Sequence, residues 1–185
     1  ILAPIAREKK GEFEKLIDCK GLFGSQGWID LRTGLGEPGQ EYRETVASLC
    51  ESLLVSGFSK AVVMPNTDPV IQSKNEAEFV LNRSKNFLPE LVVMGAVTKK
   101  TEGEDLTEML DMHFQVGLTV FGDGVKSLSN SDSYMKILQY LQKFNGVLFD
   151  HAYDPLLSIF GQMHEGEIST KLGMKGIPNL AEDVA

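Results

Sequence analysis

"GWIDLRTGLGEPG" (27–39) is the stretch that decides the fold, because an apolar run with polar residues near its end leads directly into a glycine-rich segment. Residues 27–33 are typical of a short strand that is buried on both faces. In a nucleotide-binding sheet the glycine loop after the first strand cradles a phosphate, but here that loop contains Glu37 and Pro38. The segment is a poor anion cradle, which disfavours an open nucleotide-binding sheet.

The strand pattern recurs along the chain with helical patterns between the strands. Apolar or β-branched runs predict further strands at 60–66, 90–98, 118–123 and 147–152. Helical spacing predicts four helices, marked by Val46, Leu49, Leu53 and Leu54, by Ala77, Val80 and Leu81, by Leu106, Met109 and Leu110, and by Ile137, Leu138 and Leu141. The predicted helix ends are marked by Gly57, Gly117 and Gly146. Right-handed crossovers between such strands make the sheet parallel.

Polar residues at the predicted carboxyl ends of the strands favour a (β/α) barrel over an open sheet. They are Asp30, Arg32, Asn66, Thr98, Asp123, Asp150 and His151. Barrel enzymes carry their chemistry at this end, and a closed barrel has eight strands in about 250 residues. The sequence therefore predicts an α/β fold with about five of the eight βα units, whose open edge we expect another copy or further chain to cover.

Composition argues against several classes of partner. The net charge is −8 and the 18 basic residues are scattered, so we expect no nucleic-acid binding. The apolar runs are far shorter than the roughly 20 residues of a membrane helix, and no secretion signal is predicted. The two cysteines, Cys19 and Cys50, lack metal-binding or redox spacing. We expect both to be reduced, buried thiols in a cytoplasmic protein.

The order and spacing of several motifs resemble class I dihydroorotases of the amidohydrolase superfamily. The motifs are GWIDLRTGLGEPG (27–39), VVMPNTDPV (62–70), FGDG (121–124), FDHAYDP (149–155) and MHEGEIS (163–169). The pairing of EPG with MPNT is more similar to dihydroorotase than to allantoinase or hydantoinase. The resemblance, which covers nearly the whole chain, implies a TIM-type barrel of the amidohydrolase kind over 27–185. It also implies that 1–26 is the remnant of a small β-rich domain and that the chain is a segment of a longer protein.

The resemblance further implies zinc-assisted hydrolysis of a small cyclic amide, interconverting dihydroorotate and carbamoyl aspartate in pyrimidine biosynthesis. In the family an HxH pair ending the first strand holds the metal, and an Arg before EPG holds the substrate carboxylate. Arg32 and Gly34 stand at the HxH positions of this sequence, and Gly36 stands at the position of that Arg. Since Arg is always cationic and Gly has no side chain, we expect the activity to be weak or absent and the zinc of the family to be weakly held or lost.

Three positions keep the side chains of the family. The resemblance implies that Asp123 and His151 are metal ligands and that Asn66 contacts the substrate carboxylate. Each residue also has a structural interpretation as a turn former or a hydrogen-bonded strand-end residue. Two ligands are fewer than the three that a catalytic zinc normally has. Arg32 is expected to pair with Asp123 or Glu37 in place of a metal.

Three hypotheses therefore stay open. The first is a zinc-dependent dihydroorotase, and the second is a non-catalytic scaffold that partners either another copy of itself or aspartate carbamoyltransferase. The third is a cyclic amidohydrolase with another substrate and a rebuilt metal site. No catalytic residue is assigned under any of them. His113 and His164 are expected to be solvated or capping residues.

Overall fold

A five-stranded parallel sheet, with the strands in sequence order, forms the centre of the computed structural model, which describes residues 20–184. The strands are β1 (Trp28–Thr33), β2 (Phe58–Val63), β3 (Glu90–Gly95), β4 (Val120–Phe121) and β5 (Val147–Leu148). Each neighbouring pair is parallel, as right-handed βα crossovers require. The sheet curls into a half-barrel, which confirms the predicted fold class.

A helix follows each of the first four strands. These helices are α1 (Val46–Val55), α2 (Lys74–Ser84), α3 (Met109–Val116) and α4 (Ser131–Gln142). At the start of α1, the Thr45 hydroxyl accepts the Ser48 N–H at 3.1 Å, and the Ser48 hydroxyl accepts the Thr45 N–H at 3.0 Å. At α2 a Glu76 carboxylate oxygen accepts the Ser73 N–H at 2.9 Å. These caps bond N–H groups that a helix start leaves without intrahelical partners.

The backbone confirms two of the three predicted glycine stops. Gly57 and Gly117 have φ values of +81° and +83°, a backbone conformation that favours glycine. The Gly117 N–H donates to the His113 carbonyl at 2.8 Å and closes α3. After α4 the positive φ belongs to Asn145, and the N–H of the next residue, Gly146, donates to the Leu141 carbonyl at 2.9 Å.

The core lies between the helices and one face of the sheet. Most residues that marked the predicted helices are buried there, namely Val46, Leu49, Leu53, Ala77, Val80, Met109, Ile137 and Leu141, and they join Val63, Val93 and Phe121 of the strands. Leu54 and Leu138 lie within α1 and α4, as predicted, but they are 50% and 41% exposed. Leu106 packs against the core, but its predicted place in the third helix was wrong, because it precedes α3 and forms an isolated bridge with Thr98.

A smaller unit follows β5. It contains α5 (Pro155–Ser158), β6 (Met163–His164), α6 (Glu167–Leu172), β7 (Gly176–Ile177) and α7 (Leu180–Asp183), with β6 and β7 paired in parallel. The predicted domain boundary after residue 26 stays a prediction, because residues 1–19 lie outside the described part. Cys19 lies outside it too. Cys50 is a free, buried thiol, and burial raises its pKa.

The two histidines expected to be solvated differ in environment. His164 is exposed in β6. His113 is half-buried, with its Nδ1 2.8 Å from the Leu118 carbonyl oxygen and its ring stacked on Phe144 at a centroid distance of 4.1 Å. His113 is therefore not solvated: its ring contacts a carbonyl just past the end of α3 and packs against Phe144. No helix within residues 20–184 is long and apolar enough to cross a membrane.

Candidate functional site

A cavity of about 280 Å³ lies at the carboxyl ends of the strands. Its lining comes from all five strands or the loops that follow them, namely Arg32, Met64, Met94, Gly124, Leu148, Phe149 and Asp150. A second cavity of about 480 Å³ shares Met64 with the first and is lined also by Gly34, Gly36, Arg43 and Asn66. Three of the polar residues that the sequence placed at strand ends, Arg32, Asn66 and Asp150, therefore line cavities at one end of the sheet.

Arg32 carries the positive charge of the first cavity. Its Nη2 donates to the Gly124 carbonyl at 3.4 Å, which is long for a hydrogen bond, and its backbone N–H donates to Asp30 Oδ1 at 2.9 Å. No carboxylate of residues 20–184 forms an ion pair with Arg32. The expected pairing with Asp123 or Glu37 is therefore wrong, because both acids have other partners.

Glu37 joins α1 to α2. Its Oε2 accepts the Val46 N–H at 2.8 Å at the start of α1, and its Oε1 accepts Arg83 Nε at 3.0 Å from the end of α2. Glu37 is 4% exposed. Two charge-assisted hydrogen bonds satisfy this buried carboxylate, so it does not require Arg32 as a donor.

Asp123 is buried, directly before Gly124 of the cavity lining, and bonds to the segment after β3. Its Oδ1 accepts the N–H groups of Val97 and Thr98 at 3.1 and 3.0 Å, and its Oδ2 accepts the Thr98 hydroxyl. Burial raises the pKa of the Asp123 carboxyl, which those bonds and the charge of Lys126 offset only in part. Asp123 therefore acts as a buried hydrogen-bond acceptor that links the loop after β4 to the segment after β3.

Asn66 bridges the same loop from the end of β2. Its Nδ2 donates to the Asp123 carbonyl at 3.1 Å, and its Oδ1 accepts the Val125 N–H at 3.3 Å. A Cβ at Gly124 would lie 1.8 Å from that Oδ1, so the approach requires glycine. The loop 123–125 is thus held from three sides. Arg32 and Asn66 bond to its backbone, and the Asp123 side chain bonds to the segment after β3.

His151 lies at the end of β5, half-buried. Its N–H donates to Asp150 Oδ1 at 2.7 Å, and its ring stacks on Tyr153 with a centroid distance of 5.7 Å. Asp150 lines the cavity with Arg32, whereas His151 is absent from that lining. The prediction that His151 and Asp123 bind a metal stays a prediction, as does the substrate contact of Asn66.

Gly34 and Gly36 stand where the family has a histidine and an arginine, and they differ in the space around them. A Cβ at Gly34 would meet no heavy atom within 4 Å. A Cβ at Gly36 would lie 2.4 Å from the Gln40 carbonyl oxygen and 2.7 Å from the Glu44 carbonyl oxygen. The loop can therefore accept a side chain at 34 but must rearrange to accept one at 36.

Comparisons with known proteins agree with this architecture. A family model described as Dihydro-orotase-like matches residues 24–185. The chain belongs to the dihydroorotase-like family. It is 38% identical over 174 residues to a dihydroorotase of Syntrophus aciditrophicus, covering 94% of this chain and 41% of that protein. A dihydroorotase of Elusimicrobium minutum is 34% identical over 184 residues, which are 98% of this chain and 42% of the relative.

A third relative is covered to a similar extent. A dihydroorotase of Citrifermentans bemidjiense is 38% identical over 170 residues, which are 91% of this chain and 40% of that protein. The dihydroorotase-like chain thus spans about two fifths of the length of the curated relatives that it matches.

Zinc, which the family resemblance implies, does not fit the residues that the structure describes. Within 20–184 no group of three His, Cys, Asp or Glu side chains is placed to hold a metal ion. Arg32 contributes a cation to the cavity, and the Asp123 oxygens already accept hydrogen bonds. A catalytic zinc normally needs three protein ligands. These residues of the dihydroorotase-like chain do not supply them.

Two features of the site were not predicted from the sequence. The first is the Arg83 contact of Glu37, whose partners are 46 positions apart and share no motif. The second is the apolar wall of Met64, Met94 and Leu148. The methionines could have been found by noting that Met64 directly follows an apolar strand and that Met94 precedes the glycine that ends another.

Proposed function

We propose that this dihydroorotase-like chain keeps the barrel scaffold of a cyclic amidohydrolase of pyrimidine biosynthesis but hydrolyses dihydroorotate weakly or not at all. The observation that carries the proposal is the Arg32 guanidinium in the cavity at the strand ends. The resemblance places a metal-binding histidine at that position. A fixed positive charge there repels a divalent cation, so zinc-assisted attack on an amide would lack its metal.

The environment of Asp123 supports the same proposal. If its carboxylate turned toward a metal, the N–H groups of Val97 and Thr98 and the Thr98 hydroxyl would lose their acceptor in the core. Each buried donor left unsatisfied costs about 1–3 kcal/mol. Metal binding through Asp123 would therefore compete with the packing of two strand ends.

The test is ring opening of dihydroorotate by the full-length protein with zinc supplied. A dihydroorotase of established activity, assayed in the same buffer, is the control. We expect turnover far below that of the control. Turnover close to the control would overturn the proposal, because a working metal site would then exist despite Arg32 and Gly34.

A non-catalytic scaffold is the second candidate, favoured by the apolar surface next to β5. Leu156, Ile159 and Phe160 are 79%, 64% and 72% exposed. Apolar side chains clustered at a surface often mark a contact with another protein. The proposed partners are a second copy or aspartate carbamoyltransferase, in the cytoplasm, where the free thiol of Cys50 stays reduced.

Light scattering after size-exclusion chromatography would test this candidate, with the protein alone and mixed with aspartate carbamoyltransferase. Phe160→Asp should weaken any assembly that buries this surface. Phe114→Asp is the matched control, since Phe114 is 74% exposed on α3, in a different element. A monomer in both samples would exclude the scaffold function as stated.

A further inference from the structure

We propose that the end of the sheet opposite the cavities is an interface between two copies of this chain. This surface, the amino-end patch, consists of Trp28, Leu54, Val55 and Leu88. It lies where α1 and α2 end and where β1, β2 and β3 begin. The inference goes beyond the proposed function, because it uses no residue at the carboxyl ends of the strands and none of the apolar surface next to β5.

A hollow of about 190 Å³ lies within the amino-end patch. It is lined by Leu54, Gly57, Phe58, Ser59, Leu88 and Pro89. Trp28 adjoins this lining, since a Cβ added at Gly57 would lie 3.8 Å from Trp28 Cδ1. The hollow and the apolar side chains beside it therefore form one continuous surface.

The apolar side chains of the amino-end patch project into solvent. Val55 and Leu88 are 89% and 84% exposed, and Trp28 and Leu54 are 62% and 50% exposed. Single exposed apolar residues are ordinary, but a contiguous apolar surface on a soluble protein commonly marks a contact with another molecule. Covering these four side chains would remove apolar surface from water, which favours association.

The area of the amino-end patch suits a dimer. A standard interface buries about 800 Å² on each partner, and rather more than half of that area is non-polar. The four side chains expose an apolar area on the order of 500 Å², which matches the apolar part of such an interface. Because the same surface carries both a hollow and projecting side chains, two copies related by a two-fold axis can fill each other's hollow.

The charges beside the amino-end patch favour the two-fold arrangement. Glu51 lies on the exposed face of α1, one turn before Val55, and Lys85 directly follows α2, three residues before Leu88. Within residues 20–184 neither forms an ion pair, and Lys85 Nζ donates to the neutral Asn82 side chain. In a two-fold dimer each side of the patch meets the opposite side in the other copy, so Glu51 of each copy would face Lys85 of the other.

Light scattering after size-exclusion chromatography of the full-length protein, loaded at about 1 to 200 μM, tests the inference. We expect a monomer at the lowest concentration and a dimer at the highest. Leu88→Asp should weaken the dimer by about tenfold or more, because a carboxylate would be buried against an apolar surface. Phe114→Asp, on the exposed face of α3, is the matched control and should change the dissociation constant by less than about twofold.

Charge reversals test the two-fold pairing. Glu51→Lys and Lys85→Glu should each weaken the dimer by about threefold to tenfold, because each places like charges opposite one another at both ends of the interface. The double variant should regain most of that loss, since the reversed charges again face each other. Glu78→Lys, which makes the same change of charge at an exposed position near the start of α2, is the control and should leave the dimer unchanged.

A monomer at every concentration would overturn the inference. A dimer that Leu88→Asp leaves intact would do the same, and if Phe160→Asp disrupts that dimer the contact lies next to α5 instead. A double charge reversal as weak as the single variants would exclude the two-fold pairing of Glu51 with Lys85. Circular dichroism of each variant, matching that of the wild-type protein, separates loss of the dimer from loss of the fold.

Discussion

The Thr98 hydroxyl donates a hydrogen bond to the Asp123 carboxylate inside the core, joining the segment after β3 to the loop after β4. Thr98 is 0% exposed and Asp123 is 2% exposed. Thr98 Oγ1 also accepts the Gly103 N–H at 2.9 Å, which extends the network into the next loop. Asp123, which the resemblance implies to be a metal ligand, is thus the centre of a buried polar network. Removing one member of such a network destabilises the fold.

Asp123→Ala should lower the free energy of unfolding by about 2–4 kcal/mol, because the buried donors of Val97 and Thr98 would lose their acceptor. Urea unfolding followed by circular dichroism measures this change. Asp111→Ala is the matched control, since Asp111 is exposed on α3 and should change stability by less than about 0.5 kcal/mol. Equal stability of the two variants would contradict the buried network.

The raised pKa of Asp123 gives a pH dependence with a definite sign. Because burial holds the folded-state pKa above the unfolded value, the stability contributed by this carboxyl is fully present below the unfolded pKa. That contribution is lost as pH rises through the folded pKa. Relative to Asp123→Asn, which cannot titrate, the wild-type protein should therefore gain stability between pH 7 and about pH 4. Urea midpoints at several pH values measure the difference, and an unchanged or opposite trend would refute it.

Glu37 and Arg83 should respond unequally to truncation. Glu37→Ala should cost about 1–3 kcal/mol, because the buried start of α1 loses the acceptor of the Val46 N–H. Arg83→Ala should cost less than about 1 kcal/mol, since its side chain is 62% exposed. Thermal unfolding of both single variants and the double variant gives the coupling between them. Equal losses of stability in the two single variants would contradict the larger contribution expected of Glu37.

Gly36→Ala should destabilise the loop after β1 by about 1–3 kcal/mol, because the new Cβ meets the carbonyl oxygens of Gln40 and Glu44. Gly34→Ala is the control two positions earlier, where a Cβ meets nothing within 4 Å. Urea unfolding of the pair compares the sites. A loss of stability in Gly34→Ala as large as that in Gly36→Ala would contradict the difference in space at the two positions.

The element pattern could be predicted from sequence because it depends on local properties. Apolar runs and glycines separate strands from helices, and all five strands fall in the predicted order. The predicted runs at 118–123 and 147–152 exceed β4 and β5, which have two residues each. Backbone bonding nevertheless continues past them, with the Phe149 N–H donating to the Phe121 carbonyl at 2.8 Å and the Gly122 N–H to the Gly95 carbonyl at 3.0 Å.

The partners of the charged side chains could not be predicted in the same way. Asp123 bonds to Thr98 across 25 positions, and Glu37 bonds to Arg83 across 46. Such contacts depend on the register between neighbouring βα units, which no local pattern specifies. Charge complementarity alone favoured Arg32 as the partner of Asp123 or Glu37, and this expectation failed because nearby backbone N–H groups donate to both acids.

Restoring two histidines should restore zinc binding. The double variant Arg32→His, Gly34→His removes the guanidinium and places imidazoles two positions apart, where extended backbone directs them to the same side. The open space around Gly34 accommodates the new side chain. Metal analysis after dialysis against zinc should find more bound zinc in the double variant than in the wild-type protein, and EDTA should remove it. Gly34→His alone is the control, because it keeps the Arg32 charge and should gain little zinc. Equal zinc in the double variant and the wild-type protein would mean that Arg32 is not what keeps the metal out.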